Sequence, residues 1–276
     1  MGQNSDHWIG NTHRQRDVVT PALIERYNAV IGKLGLGHTL PYGLHWCLCL
    51  PNASMDELGL DGHPHTGGFL PTSSLPRRMW ASSDVEFHSP LKEGAAIERI
   101  STVKDITEKE GRSGKLLFVN VEHKTISGGM DCVKERQTIV YREASNETPD
   151  LPEAADHDLS QWEVVESFTP TTALLFRYSA LTFNSHRIHY DLPYAQDQER
   201  YPALVVHGPL MASLLLRFVT PLTQGKGLKG FKFRGLAPAF CNQPLTMVAK
   251  AKPGGFELGM VGCNGIMVMS AEAKIA

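Results

Sequence analysis

The stretch FNSHRIHYD, residues 183 to 191, sets His186, His189, Asn184, Arg187 and Asp191 within nine positions. Imidazoles at the i, i+3 spacing of His186 and His189 can share one helix face and ligate zinc, with Asp191 two residues on. The segment has no H-E-x-x-H pattern, places Arg187 between the rings and signals no distant third ligand, so no metal is expected. A bland reading remains, in which Asn184 or Ser185 caps a helix and the histidines pack. Against it stands a second group, VVHGPLMASLLL, where His207 precedes Gly208 and the Gly208 N–H opens an apolar helix. Four backbone donors lie unpaired at such a start, and the helix dipole favours developing negative charge there. A histidine near a helix N-terminus is what chemistry on a carbonyl compound needs.

These side chains must be carried by ordered elements. Apolar residues from Leu210 to Val219 predict a buried helix starting just after Gly208, with Pro209 at its first position. Upstream, QWEVVESFTPTTALLFRYSALT predicts a strand and then a helical or extended approach to the His-rich stretch. Downstream, LKGFKFRGLAP, QPLTMVAKAKPGG, FELGMVGCNG and IMVMSAEAKIA predict four strands. In the first half, Leu23, Tyr27, Ile31 and Leu34 predict an amphipathic helix with Thr20 as N-cap, Pro21 at N1 and Gly35 as its stop. PYGLHWCLCL, 41 to 50, is apolar nearly all round and is expected to be buried in either conformation. From about residue 79, β-prone runs separated by KEG, GRSG and GGMD predict a meander of long antiparallel strands. SNETPDLPEAADHDLS has the composition of an exposed linker, which divides the chain into residues 1–145, a linker at 146–159 and residues 160–276. Both halves read as helix followed by strands, a duplicated α+β unit rather than an alternating βαβ fold.

Composition excludes several classes. The 276 residues are 42% hydrophobic with a formal net charge of −2, and the 27 basic residues are scattered, so nucleic acid is not an expected partner. No run reaches the roughly 18 to 20 apolar residues of a membrane span, and MGQNSDHWIG has neither a basic nor an apolar leader region. The chain therefore reads as cytoplasmic, with no membrane partner. Of five cysteines only Cys47 and Cys49 are close, and no second pair completes a zinc set, so reduced core thiols are expected. His63 and His65 sit in the Gly-rich GLDGHPHTGG, where loop flexibility and substrate gating are both open.

The combination FNSHRIHYDLPYA with VVHGPLMAS, beginning 16 residues after His189, resembles the hydratase signature of the MaoC-like hotdog superfamily. FRYSALTFN and the block DVEFHSPLKEGAAI, SGKLLFVNVEH and ERQTIVYRE are similar to the branch of type-2 hydroxyacyl-thioester dehydratases and the hydratases of mesaconyl-C4-CoA and itaconyl-CoA. The resemblance implies an α+β double hotdog, two tandem units each with a helix wrapped by an antiparallel sheet. The second unit would keep the catalytic motif, and the first, which lacks it, would help build the acyl pocket.

Carried over by motif, His189 falls on the catalytic histidine and Gly208 on the glycine whose amide forms the oxyanion hole. Asn184 stands where the wider family has Asp, and an amide orients water but is no general acid. Hydration of an enoyl thioester then assigns His189 as acid/base, Asn184 to the water and Gly208 N–H to the thioester oxygen. Asp191 would orient His189 or cap the next helix, with His186 and His207 as supporting residues. A dicarboxylic acyl group needs an arginine partner, for which Arg177 is the first choice and Arg77 and Arg78 the alternatives. Lys232 and Arg234, on one face of a strand, are candidates for coenzyme A phosphates. No cofactor is expected beyond coenzyme A as part of the substrate, and an exposed strand edge is compatible with a homodimer. The competing readings are a hotdog acyl-CoA thioesterase and a non-catalytic acyl-thioester binding module.

Overall fold

The computed structural model describes residues 5–32, 40–111, 114–144 and 147–276. In the first half, β1 (Thr12–Val18) leads into α1 (Pro21–Ile31), followed by β2 (Arg77–Phe87), β3 (Ala96–Gly111), β4 (Gly114–Ser127) and β5 (Met130–Arg142). In the second, β6 (Val164–Phe168) leads into α2 (Thr172–Thr182), α3 (Leu192–Asp197) and α4 (Gly208–Val219), then β7 (Leu228–Gly235), β8 (Leu245–Lys252), β9 (Gly255–Gly262) and β10 (Met267–Ile275). Each half thus opens on a strand that the helix follows. Residues 143–163 contain no helix or strand among the described residues.

All ten strands form one antiparallel sheet in the order β1-β3-β4-β5-β2-β7-β10-β9-β8-β6. Read inward from either edge, the order is first, third, fourth, fifth, second strand of each half, which is the mark of a repeated unit. The halves join along β2 and β7, where Val85 lies opposite Phe231 and both are fully buried. Register follows from the period of two: Leu117, Val119 and Val121 alternate inward along β4, and a slip by one residue would turn all three outward.

α1 begins as its residues dictate, with Thr20 Oγ1 accepting from Leu23 N–H at 3.2 Å and Pro21 in the first turn. It ends earlier than Gly35 would imply: Gly32, at φ 98, terminates it, because only glycine enters that backbone region without strain. Gly35 lies outside the described residues. The segment at 41–50 is buried through Leu44–Cys47 as a 3-10 turn. α4 is apolar nearly all round and touches β2 of the first half as well as β7 to β10. Leu210, Leu215 and Leu216 are fully buried along it, and each such side chain contributes about 1.5–3 kcal/mol. This helix is the shared core on which the site is built. Among the described residues, no helix is long and apolar enough to cross a membrane.

Candidate active site

The His-rich stretch is a tightly braced loop rather than a helix face. α2 stops at Phe183, in the left-handed region, and Asn184 N–H returns to Ser179 O at 2.8 Å. Asn184 Oδ1 accepts from His186 N–H at 3.0 Å, an Asx turn that fixes the amide and leaves Nδ2 with no partner among the described residues. The chain then makes a 3-10 turn over Arg187–His189. The segment before α4 grips that turn at two points: Val205 N–H donates to Ile188 O at 3.0 Å, and His189 Nδ1–H donates to Val205 O at 2.8 Å. A carbonyl can only accept, so the proton of His189 is on Nδ1, and Nε2 is left as the basic nitrogen.

His207 is the N-cap of α4 and stacks on His189, with ring centroids 3.6 Å apart and planes 19° from parallel. Its Nε2 lies 2.8 Å from Ser179 Oγ, while its Nδ1 is buried without a partner. Burial pushes both imidazoles down, His207 to about 3 and His189 well below the usual range, where His207 and His186 add to the effect. Both rings are therefore neutral near pH 7. α4 begins at Gly208 itself, so Pro209 occupies the second position, one later than its usual place. A Cβ on Gly208 would meet nothing closer than Trp80 O at 3.7 Å, so packing inside the chain does not demand glycine there. The missing side chain keeps the approach to the Gly208 N–H open.

The first half reaches into this loop. Arg187 N–H donates to Asp61 O at 2.9 Å, Arg187 Nη1 to Leu60 O at 3.0 Å and Ser185 Oγ to Gly62 O at 2.5 Å. Gly62 is at φ 85, and a Cβ on it would fall 1.9 Å from Ser185 O, so the close approach requires glycine. The contact carries His63 to a ring distance of 4.1 Å from His186, with Asp61 Oδ2 2.9 Å from His63 Nδ1. Burial lowers His63 to about 4, against the pull of Asp61. Burial alone would raise the Asp61 carboxyl, but hydrogen bonds from the His63 ring and backbone bring it to about 2. On its other side, His186 Nε2 lies 3.1 Å from Glu199 Oε1, and the ring meets that of His189 edge-on at 5.4 Å. Asp61, His63 and His186 offer donor atoms within 4.8 Å of one another, the set among the described residues that could hold a metal ion. Within that set His63 Nδ1 already pairs with Asp61, and His186 Nε2 with Glu199.

His189, His186, His207, Asn184 and Gly208 are thus brought to one place by the loop and the start of α4. Several other expectations need correction. Arg177 is exposed: α2 is helical, and its buried face carries Leu175, Tyr178 and Ser179, with Arg177 on the opposite side. Arg77 is buried but already neutralised, its Nε 3.7 Å from Glu199 Oε2, its Nη2 donating to Glu199 O and its guanidinium over the Tyr201 ring. Asp191 does not orient His189, a task that falls to Val205 O. It caps α3 through Tyr194 N–H at 3.2 Å and pairs with Arg187 at 2.8 Å. Lys232 lies 2.7 Å from Asp84 and stands opposite Glu272 in the sheet, so its charge is met within the protein; Arg234 is exposed on the same face. Arg78 stands opposite Tyr141, whose buried hydroxyl it faces.

Ser179, Glu199, the Val205 carbonyl and Asp61 had no clear sequence signal, and His63 was marked only by its Gly-rich loop. Ser179 and Glu199 are unremarkable in type, and the Val205 carbonyl is backbone. Asp61 and His63 lie in a glycine-rich loop more than 120 residues from the stretch they brace, with Gly59, Gly62, Gly67 and Gly68 as the only hint of close packing.

Residues 43–241 match the family model described as hydroxyacyl-thioester dehydratase type 2. The chain is 39% identical to a mesaconyl-C(4)-CoA hydratase of Chloroflexus aurantiacus over 277 residues, covering 97% of this chain and 96% of that protein. Among solved structures, HtdX of Mycobacterium tuberculosis superposes with a TM-score of 0.71 at 17% identity, over 96% of this chain and 100% of that one. A second protein of Mycobacterium tuberculosis, described as having a double hotdog fold, matches at a TM-score of 0.60 and 13% identity, over 97% and 96% of the two chains. These structural matches agree with the repeated sheet order in giving a double hotdog.

Proposed function

We propose, from the premise that this chain belongs to the hydroxyacyl-thioester dehydratase type 2 family and is a thioester hydro-lyase, that its substrate is an enoyl-CoA with a short, branched, dicarboxylic acyl group of the mesaconyl or itaconyl kind. The observation that carries the chemistry is the neutral His189, held by Val205 O with Nε2 as base, beside the open N-terminus of α4.

In the hydration direction, His189 Nε2 takes a proton from water as the water oxygen bonds the β-carbon. The C=C electrons move to the thioester oxygen, where the Gly208 N–H meets the growing charge. The imidazolium then returns the proton to the α-carbon, so one residue serves as base and acid and the net addition is H₂O. This economy suits a site with an amide at 184, where Asn184 Nδ2 is left to hold the water. His186, fixed by Glu199, supports the edge of the His189 ring.

For the free carboxylate of the acyl group, Arg78 replaces Arg177 as the preferred partner. It is half-buried, and the buried Tyr141 hydroxyl lies beside it as a further polar group. The reading asks for no cofactor beyond the coenzyme A of the substrate. It places the enzyme in the cytoplasm, which five free cysteines support. The outer strands β1 and β6 are the edges available to a homodimer.

The test is a panel of mesaconyl-C4-, itaconyl- and crotonyl-CoA with product identification. Loss of enoyl absorbance without release of thiol supports hydration. Thiol release marks a thioesterase, and no turnover of any member removes the catalytic reading. Arg78→Gln is expected to lower kcat/KM for the dicarboxylic substrates far more than for crotonyl-CoA, and equal losses would remove its role.

A further inference from the structure

His207 carries more than packing. Its ring is 1% exposed, and both sides are defined: His189 stacks on one face and the Tyr178 ring meets it at 5.2 Å. The Ser179 hydroxyl, itself buried, has no acceptor other than His207 Nε2 among the described residues. If Nε2 carried the proton, the serine O–H would be left buried without an acceptor, a costly arrangement. Ser179 therefore donates to Nε2, and the His207 proton is on Nδ1.

That Nδ1–H is buried and meets no acceptor among the described residues. An unpaired buried donor is rare because it forfeits its bond to water. Nδ1 is also the ring nitrogen nearer the backbone, and the next residue is Gly208, whose N–H opens α4. Two donors from consecutive residues thus stand at the positive end of one helix, beside the ring whose Nε2 is the base.

We propose that His207 Nδ1–H is a second hydrogen-bond donor to the thioester oxygen, beside Gly208 N–H, which makes His207 a catalytic residue rather than a support for His189. This rests on the hydration reading for its role in turnover, but the recognition of a thioester carbonyl stands apart from it. As the water oxygen bonds the β-carbon, the electron pair of the C=C bond comes to rest on the thioester oxygen between the two donors. It returns to the α-carbon when His189 delivers the proton. His207 keeps its own proton throughout and acts as a neutral electrophile, the form that a helix N-terminus and burial both favour.

Two substitutions separate this role from a structural one. Asn places an amide N–H near the former Nδ1, whereas Gln places its amide near the former Nε2 and keeps the contact with Ser179. His207→Asn is expected to stay within about tenfold of the wild-type kcat for enoyl-CoA hydration, and His207→Gln to lose roughly a hundred- to a thousandfold with KM little changed. A purely structural role gives the reverse order, and that result, or equal activity of both, overturns the proposal. A second measurement needs no turnover: butyryl-CoA and its thioether analogue S-butyl-CoA are titrated against wild type and both variants. Preference for the thioester in wild type and His207→Asn that is weakened in His207→Gln, where only Gly208 N–H remains, supports the donor; a preference in His207→Gln equal to that of wild type overturns it. Should a variant fail to fold, ¹⁵N-histidine NMR of the wild type decides, since a protonated Nδ1 that shifts on binding butyryl-CoA is required and an unprotonated Nδ1 overturns the proposal. A wild type that binds butyryl-CoA by this pattern but hydrates no enoyl-CoA would sink the hydratase reading alone.

Discussion

Each half of the molecule buries a histidine-centred polar group, and the two are built on opposite principles. In the first half, Glu135 is 4% exposed and accepts from Trp46 Nε1 at 3.1 Å and Ser83 Oγ at 2.5 Å, with His45 Nε2 3.6 Å away. Burial would raise that carboxyl, but His45 first, then His123 and the Ser83 hydroxyl, bring it to about 2. His45 itself is kept low by burial. In the second half, no carboxylate among the described residues touches His189 or His207, whose partners are a backbone carbonyl and a serine hydroxyl. The first group gathers its donors around a carboxylate supplied by the protein itself. The second keeps a basic nitrogen, a helix start and an unpaired ring N–H. At His189 and His207, neutral imidazoles without a carboxylate keep a donor and an acceptor for a molecule that arrives.

Five experiments sharpen or break this contrast. His189→Asn, which keeps a donor for Val205 O but loses the base, is expected to cut kcat roughly a hundred- to ten-thousandfold with little change in Tm. Steady-state hydration assays and calorimetry on the same preparation check both halves of that statement. Glu135→Leu leaves the Trp46 and Ser83 donors buried and unpaired and is expected to cost about 3–5 kcal/mol in urea unfolding, while activity per folded molecule holds. If activity vanished with the fold intact, the first group would not be merely structural. Gly62→Ala forces the two loops apart and combines a positive φ with a clash, for an expected loss of about 1–3 kcal/mol and a fall in kcat/KM. An unchanged kcat/KM would show that the first-half loop is not needed to hold the site.

Both groups lose stability as pH falls, since His45 and His207 are each lowered by burial. The unfolded chain protonates His207 near 6.5 and the folded one only near 3, so its contribution is complete above about 6.5 and is lost as pH falls toward 3. Within that window the slope is about 1.4 kcal/mol per pH unit for this one histidine. Glu135, depressed from 4.5 to about 2, adds its own loss only below about 4.5. Unfolding measured from pH 7 to 4 should therefore become shallower by about one proton in His207→Asn, and an unaltered slope would contradict a neutral His207. The smallest effect is expected for Arg177→Ala, within about 0.5 kcal/mol in stability and without selective loss on dicarboxylic substrates. A selective loss would return Arg177 to the acyl pocket despite its place on the outer face of α2.

Much of this was legible in residue order, because it depends on short-range physics. Thr20 and Pro21 start α1, the period of two in LLFVNV sets the inward face of β4, and VVHGPLMAS marks the start of α4. The spacing of Asn184, His189 and Gly208 carried the resemblance and, with it, the chemistry. The rest needed the folded chain. Arg177 is seven residues from Asn184, a spacing that would keep the two on one face of a continuous helix, but α2 ends at Thr182 and buries Leu175, Tyr178 and Ser179, which leaves Arg177 exposed. Nor does local sequence say that Val205 O rather than Asp191 holds His189, that Ser179 sets the tautomer of His207, or that Gly62 brings Asp61 and His63 against a loop of the other half. Helix starts and strand faces are local properties of a few neighbouring residues, and the chain determines them by itself. Which nitrogen keeps its proton depends on partners that meet only after the sheet has wrapped around α4, and that was decided by tertiary structure alone.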